Sequence, residues 1–149
     1  SADSGSTINV PAGTYFESLD IPKSISLICE PGAIIDASGL SSGINIHAEN
    51  VTVDGCEIVG NHQTVYGISC SPGAENVTIS NNIIHGMKMP HENGLPASYG
   101  ILVWGGQEVS GITLDNNEIY DVLLAGIDVT EFVSDVTITN NISMISNIM

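Results

Sequence analysis

Arginine is absent from this 149-residue sequence, and lysine occurs only at Lys23 and Lys88, against 17 Asp and Glu and a formal net charge of −15. A chain with so little positive charge cannot neutralise phosphates, which excludes nucleic acid as a partner. The same charge repels uronic-acid polymers unless calcium bridges them, and it suits a solvated extracellular surface. Aromatic residues are 5% of the chain, so the interior has to be built from Ile, Val, Leu and Ala. No apolar run approaches the roughly 20 residues that cross a bilayer, and no membrane partner is expected. Three cysteines, Cys29, Cys56 and Cys70, cannot all pair, so at least one thiol is left over. The opening SADSGSTINV has no signal-peptide pattern and reads equally as a mature terminus or a domain boundary.

What the chain does have is Gly, Asn, Ser and Thr in abundance, a mixture for strands and tight turns rather than helices. It also repeats. The segments NVTVDGCEIVG, NVTISNNIIHG, GITLDNNEIYD and DVTITNNISMI align through Val51, Val77, Ile112 and Val136, at spacings of 26, 35 and 24. A second series, Gly43-INI, Gly67-ISC, Gly100-ILV and Gly126-IDV, runs in phase at 24, 33 and 26. The extra length falls in the same interval of both series, so one unit carries an insertion over residues 86–98. Within each unit apolar residues alternate with polar ones, as in half-buried strands. Such a unit cannot bury its apolar face alone and has to stack on its neighbours. The pairs Asn81-Asn82, Asn116-Asn117 and Asn140-Asn141 follow the V-T-I strand, where stacked amides can bond from coil to coil.

NVTISNNII followed by GILV resembles the repeat of the pectate-lyase-like parallel β-helix superfamily, and INVPAGTYFESLDIPKSISLICEPGAIIDASG resembles its first coils. The resemblance implies an all-β, right-handed parallel β-helix of about six coils. It would form one domain over residues 1–149, or a piece of a longer solenoid, with open ends able to join copies into a homo-oligomer. In that superfamily the G-I-x-I strand is the first sheet, V-T-I the second and the strand after Asn-Asn the third. Ligand normally lies along the outer face of the first sheet, and the 86–98 insertion enters that sheet. The alignment puts Leu19, Ile44, Ile68, Ile101 and Ile127 inward, with Ile21, Ile46, Cys70, Val103 and Val129. It puts Asp20, Asn45, Ser69, Leu102 and Asp128 outward, beside Pro22, His47, Ser71, Trp104 and Thr130.

These columns select the candidates. Trp104, the single tryptophan, reads as a platform for a sugar ring or as a residue packed under the insertion against Met87 or Met89. His47, Tyr66, His91 and Glu92 join it as groove-lining residues that would bind substrate. For catalysis the candidates are Asp128 with a flanking carboxylate, as a hydrolytic pair about 5–9 Å apart. Alternatively His62 or His85 with Tyr66 or Tyr99 would serve as base and acid of a β-elimination. The superfamily's own signatures do not carry over. Its lyases use an arginine that this chain lacks, its hydrolases show paired aspartates and Gly-His-Gly, and the alginate epimerase motif matches Tyr66-Gly67-Ile68 but stops at Ser69. Cys70 and Cys56 read as interior residues rather than nucleophiles.

HGMKMPH, residues 85–91, alternates His85, Met87, Met89 and His91, which suits a soft metal such as copper(I), and one β-helix family takes part in copper-site maturation. Extended, the segment spans roughly 20 Å, too far for one ion, so no metal ligands are assigned. The expected function is therefore a secreted or cell-surface protein, with a periplasmic one as an alternative, that contacts a polysaccharide as a lyase, hydrolase or epimerase. The other readings are a non-catalytic glycan-binding or structural solenoid and a copper-handling module. No cofactor is assigned with certainty, and calcium is the one candidate.

Overall fold

The structure, a computed structural model, describes residues 2–90, 93–94 and 97–145. His91 and Glu92 lie outside the described residues. The first turn of chain runs β1 Ser6–Val10, β2 Gly13–Tyr15 and β3 Leu19–Ile21, and the second β4 Ile25–Cys29, β5 Ala33–Asp36 and β6 Ser42–Ile46. Next come β7 Thr52–Asp54, β8 Glu57–Val59 and β9 Tyr66–Cys70, then β10 Glu75–Ser80, β11 Ile83–His85 and β12 Tyr99–Val103. The last are β13 Ser110–Asp115, β14 Glu118–Val122, β15 Ala125–Val129, β16 Ser134–Thr139 and β17 Ile142–Ile145. Every third strand belongs to the same sheet, and each pairs in parallel with its equivalent one coil away. The protein is therefore a parallel β-helix. Among the described residues its second and third sheets have six strands each and its first has five.

The register follows the period-2 pattern. Ile44, Ile68, Ile101 and Ile127 stand opposite one another, as do Ile46, Cys70, Val103 and Val129. Their side chains meet Val53, Ile79, Leu114, Ile58, Ile84 and Ile119 from the other two sheets in one continuous core. Thr52, Thr78, Thr113 and Thr137 form the outward ladder of the second sheet. The repeated glycine of G-I-x-I has a steric cause. A Cβ on Gly100 would lie 2.6 Å from the carbonyl oxygen of Gly126, and one on Gly67 would lie 2.8 Å from that of Gly100.

At the corner between the second and third sheets a column of buried asparagines joins the coils. Asn117 Nδ2 donates to Ile79 O at 2.9 Å and to Asn141 Oδ1 at 2.9 Å. Asn82 Nδ2 donates in turn to Val53 O and to Asn117 Oδ1, and the backbone N–H of Cys56 to Asn82 Oδ1 at 2.9 Å. Asn81, Asn116 and Asn140 precede these residues with left-handed backbones, φ 54–56°, which Asn accepts more readily than other side chains. Cys56 takes the amide's place in the column and continues it as a disulfide to Cys29. The left-over thiol is Cys70, buried in the core, where desolvation pushes its pKa up to about 12.

The insertion is tied at its neck. Ser98 Oγ donates to Met87 O at 2.5 Å, and the N–H groups of Lys88 and Met89 donate to the carbonyls of Asn61 and Thr64. Gly86 has φ 83°, and this left-handed residue breaks the alternation expected for HGMKMPH. His85 points out, Met87 turns into the core and is fully buried, and Met89 is exposed. Of the described residues in this segment, His85, Met87 and Met89 do not share a face.

Two stability measurements check this frame. The 27-residue separation of Cys29 and Cys56 predicts that the Cys29→Ser/Cys56→Ser variant loses about 3–4 kcal/mol in urea unfolding. Asn117→Ala should cost about 3 kcal/mol, because it strands donors on Asn82 and the carbonyl of Ile79. Thr113→Ser, on the solvated face, should stay within about 0.5 kcal/mol.

Candidate functional site

Two surfaces gather the polar side chains singled out by the sequence. The first is the outer face of the first sheet, where Asp20, Asn45, Ser69, Leu102 and Asp128 form one row across β3, β6, β9, β12 and β15. Four strand spacings separate its two carboxylates, about 19 Å. Trp104 follows β12 directly, and its indole Nε1–H donates to Ser69 Oγ at 3.1 Å. Ser69 is an outward residue yet only 1% exposed, while Trp104 is 41% exposed. The indole thus reaches back over the neighbouring strand, shields Ser69, and keeps a large apolar surface open to solvent. Met87, one of the packing partners expected for it, is in the core instead. His47 pairs with Asp20 at 3.0 Å across the exposed end of the row, a contact worth little in water. Tyr66 and Tyr99 stand opposite each other at the starts of β9 and β12.

The second surface is a cleft of about 360 Å³ beside the third sheet, lined by Val59, Asn61, His62, His85, Lys88 and Asp121 among others. His85 Nε2 lies 2.9 Å from Glu57 Oε1, and its ring stacks on Tyr120 with centroids 4.7 Å apart and planes 5° from parallel. Lys88 Nζ is 2.7 Å from Asp121 Oδ2. The ring beside His85 is thus Tyr120, on β14, rather than Tyr66 or Tyr99. Tyr120 was missed as a site residue, although it occupies the place of His85 in the aligned segments NNIIHG and NNEIYD. Its phenol is pushed above the ordinary tyrosine range by desolvation, then by the charges of Glu57, Glu118 and Asp121. On the second sheet Asp115 is held below the usual carboxylate range by Thr139 and Asn140. Asp128 stands in the first-sheet row, and His62 and His85 line the third-sheet cleft. Among the described residues, no group of three or more His, Cys, Asp or Glu converges as a metal site.

A family model described as a right-handed beta helix region matches residues 34–145. The chain belongs to the right-handed β-helix family. The register, the three parallel sheets and the stacked apolar columns of this β-helix agree with that membership. Among characterised proteins it is similar to the probable ABC transporter binding protein NosD of Stutzerimonas stutzeri, with 33% identity over 114 residues. That alignment takes in 74% of this chain and 23% of the relative, so the chain spans about a quarter of that protein's length. No solved structure matches significantly. No helix among the described residues is long and apolar enough to cross a membrane.

The third-sheet cleft yields a titration test. A phenol whose folded pKa is raised keeps its proton where the unfolded chain has lost it, so Tyr120 lowers stability as pH climbs past the ordinary tyrosine value of 10.0. Phenolate absorbance, compared with Tyr120→Phe, should show one tyrosine titrating late, and Glu57→Gln should bring it earlier.

Proposed function

We propose that this β-helix binds a neutral polysaccharide along the outer face of its first sheet and does not cleave it. The observation that carries the reading is Trp104, fixed through Ser69 and still 41% exposed. A large apolar ring in a fixed orientation suits the apolar face of a pyranose. Asn45, Asp128 and Thr130 flank it on the same face and supply hydrogen-bonding groups for hydroxyls. Binding without turnover is favoured by the spacing of the row's carboxylates, about 19 Å against the roughly 5–9 Å of a glycosidase pair. The relative's name, an ABC transporter binding protein, also describes binding. A polyanionic glycan would need bridging calcium against the net charge of −15. The Cys29–Cys56 disulfide fits an oxidising compartment outside the cytosol, and therefore a secreted, cell-surface or periplasmic protein. The copper-handling alternative loses Met87 as an accessible thioether.

The test is a calorimetric titration with cellohexaose, laminarihexaose and mannohexaose, and with polygalacturonate and alginate, each with and without calcium. New chain ends are measured in parallel. Neutral oligosaccharides should bind, Trp104→Ala should weaken them about 30-fold, and no new ends should form. Absence of binding to every glycan would sink the proposal, and steady accumulation of new ends would overturn its non-catalytic part.

A further inference from the structure

The donors around Trp104 are turned onto the protein itself. The indole has one hydrogen-bond donor, Nε1–H, and directs it to Ser69 Oγ at 3.1 Å. Ser71 is the equivalent of Trp104 on the neighbouring coil, since their backbone N–H groups bond alike, to Ile46 O and to Cys70 O. The Ser71 hydroxyl donates to Ile46 O at 3.1 Å. Asn45 pairs in register with Ser69 and turns its amide nitrogen along the strand, donating to Ser42 Oγ at 2.9 Å. His47 directs Nε2 to Asp20 Oδ1 at 3.0 Å, and a neutral imidazole that donates there keeps an acceptor at Nδ1. Strands β6, β9 and β12, which carry this patch, each have a neighbour on both sides, so it belongs to the middle of the sheet.

What this leaves open is an acceptor. Asn45 is half-buried, and none of the described residues donates to its Oδ1. Ser69 is 1% exposed beneath the indole and out of a ligand's reach. Asn45 stands one strand spacing, about 4.8 Å, from the serine that the indole covers, at the edge of a sugar ring laid on Trp104. Other hydroxyl donors of the face are rooted farther off. Tyr66 and Tyr99 precede Ser69 and Leu102 by three residues, about 10 Å along the strand. Thr130 lies two coils beyond Ser69 in the opposite direction from Asn45, also about 10 Å.

We propose that Asn45 determines which glycans this face accepts. Its carbonyl oxygen receives a hydroxyl hydrogen from the ring stacked on Trp104, so the site selects sugars whose hydroxyl there is free and rejects those substituted at it. The inference rests on the reading that glycan lies on the first sheet. A methyl ether or acetyl ester keeps an oxygen at that position but has no hydrogen to give, and the hydrogens of Trp104 and Ser71 are already engaged. Asn45 Oδ1 is then desolvated without a partner, which costs more than a typical hydrogen bond gains.

The experiment compares wild type, Asn45→Asp, Asn45→Ala and Trp104→Ala by calorimetry at about pH 8, where an ordinary histidine is neutral. The probes are cellohexaose, laminarihexaose and mannohexaose, with analogues in which one hydroxyl at a time is replaced by fluorine. Fluorine is close to a hydroxyl in size but cannot donate, so it separates a lost hydrogen from crowding. Each variant is also melted. Asn45→Asp, which keeps an acceptor and loses the amide donor, should bind the hexasaccharide within about threefold of wild type. Asn45→Ala should bind about tenfold more weakly while melting within about 2 °C of wild type. One fluorinated analogue should bind wild type about tenfold more weakly than its parent, and Asn45→Ala equally well as its parent. Equal losses in Asn45→Asp and Asn45→Ala would make the amide nitrogen the recognising group and overturn the proposal. So would fluorine effects of the same size in wild type and Asn45→Ala, or a weaker-binding Asn45→Ala that also melts lower. In each of these cases the Trp104 site still stands if Trp104→Ala weakens binding. If wild type binds none of the hexasaccharides, the first-sheet reading fails and this inference fails with it.

Discussion

Backbone hydrogen bonds between successive coils set the direction of side chains on all three sheets. Parallel strands stack in register, and because side chains alternate along a strand, a slip of one residue would exchange the core for the surface. The structure guards that register at the corner where the second sheet turns into the third. Asn82 and Asn117 each bond to the coil below through a backbone carbonyl and to the coil above through the next amide, and Asn141 donates to Leu114 O, so the three have these partners only in one alignment. A buried polar column of this kind is costly when half-satisfied and specific when complete. The Cys29–Cys56 bond extends it covalently to the second coil.

Given that constraint, much of the fold is legible in the sequence. Repeat spacing locates the coils, alternation separates inward from outward residues, and the Asn pairs mark the corner. Legibility ends where a turn changes the phase. Gly86 looks like ordinary punctuation, but its left-handed backbone sends Met87 into the core and dissolves the apparent His-Met-Met-His alternation. The disulfide escaped notice because Cys56 reads convincingly as a small interior residue. The signal was its place in the amide column, one coil from Cys29.

The site was legible as an address more than as a set of contacts. Trp104 was expected to point outward and does, yet that its indole would be anchored by Ser69 depends on a rotamer that spacing alone does not fix. His85 was expected to partner a tyrosine of the first sheet; the aligned repeats placed Tyr120 opposite it, and reading across coils rather than along the chain would have found it.

The distribution of charge then separates the two surfaces. Around the third-sheet cleft desolvation, and then the charges of Glu57, Glu118 and Asp121, raise the pKa of the Tyr120 phenol, while Lys88 and His85 are each engaged by a carboxylate. A neutral ligand entering there would have to displace ion pairs, and an anionic one would meet a field of its own sign. On the first sheet the acidic residues sit at the two ends of the row, Asp20 and Asp128, and between them Asn45, Ser69 and Leu102 carry no charge. Trp104 lies over that uncharged middle. In a protein with 17 carboxylates and two lysines, this row holds three uncharged residues between its two carboxylates, so the neutral ligand proposed for this face would meet fewer charged groups to desolvate there than in the third-sheet cleft.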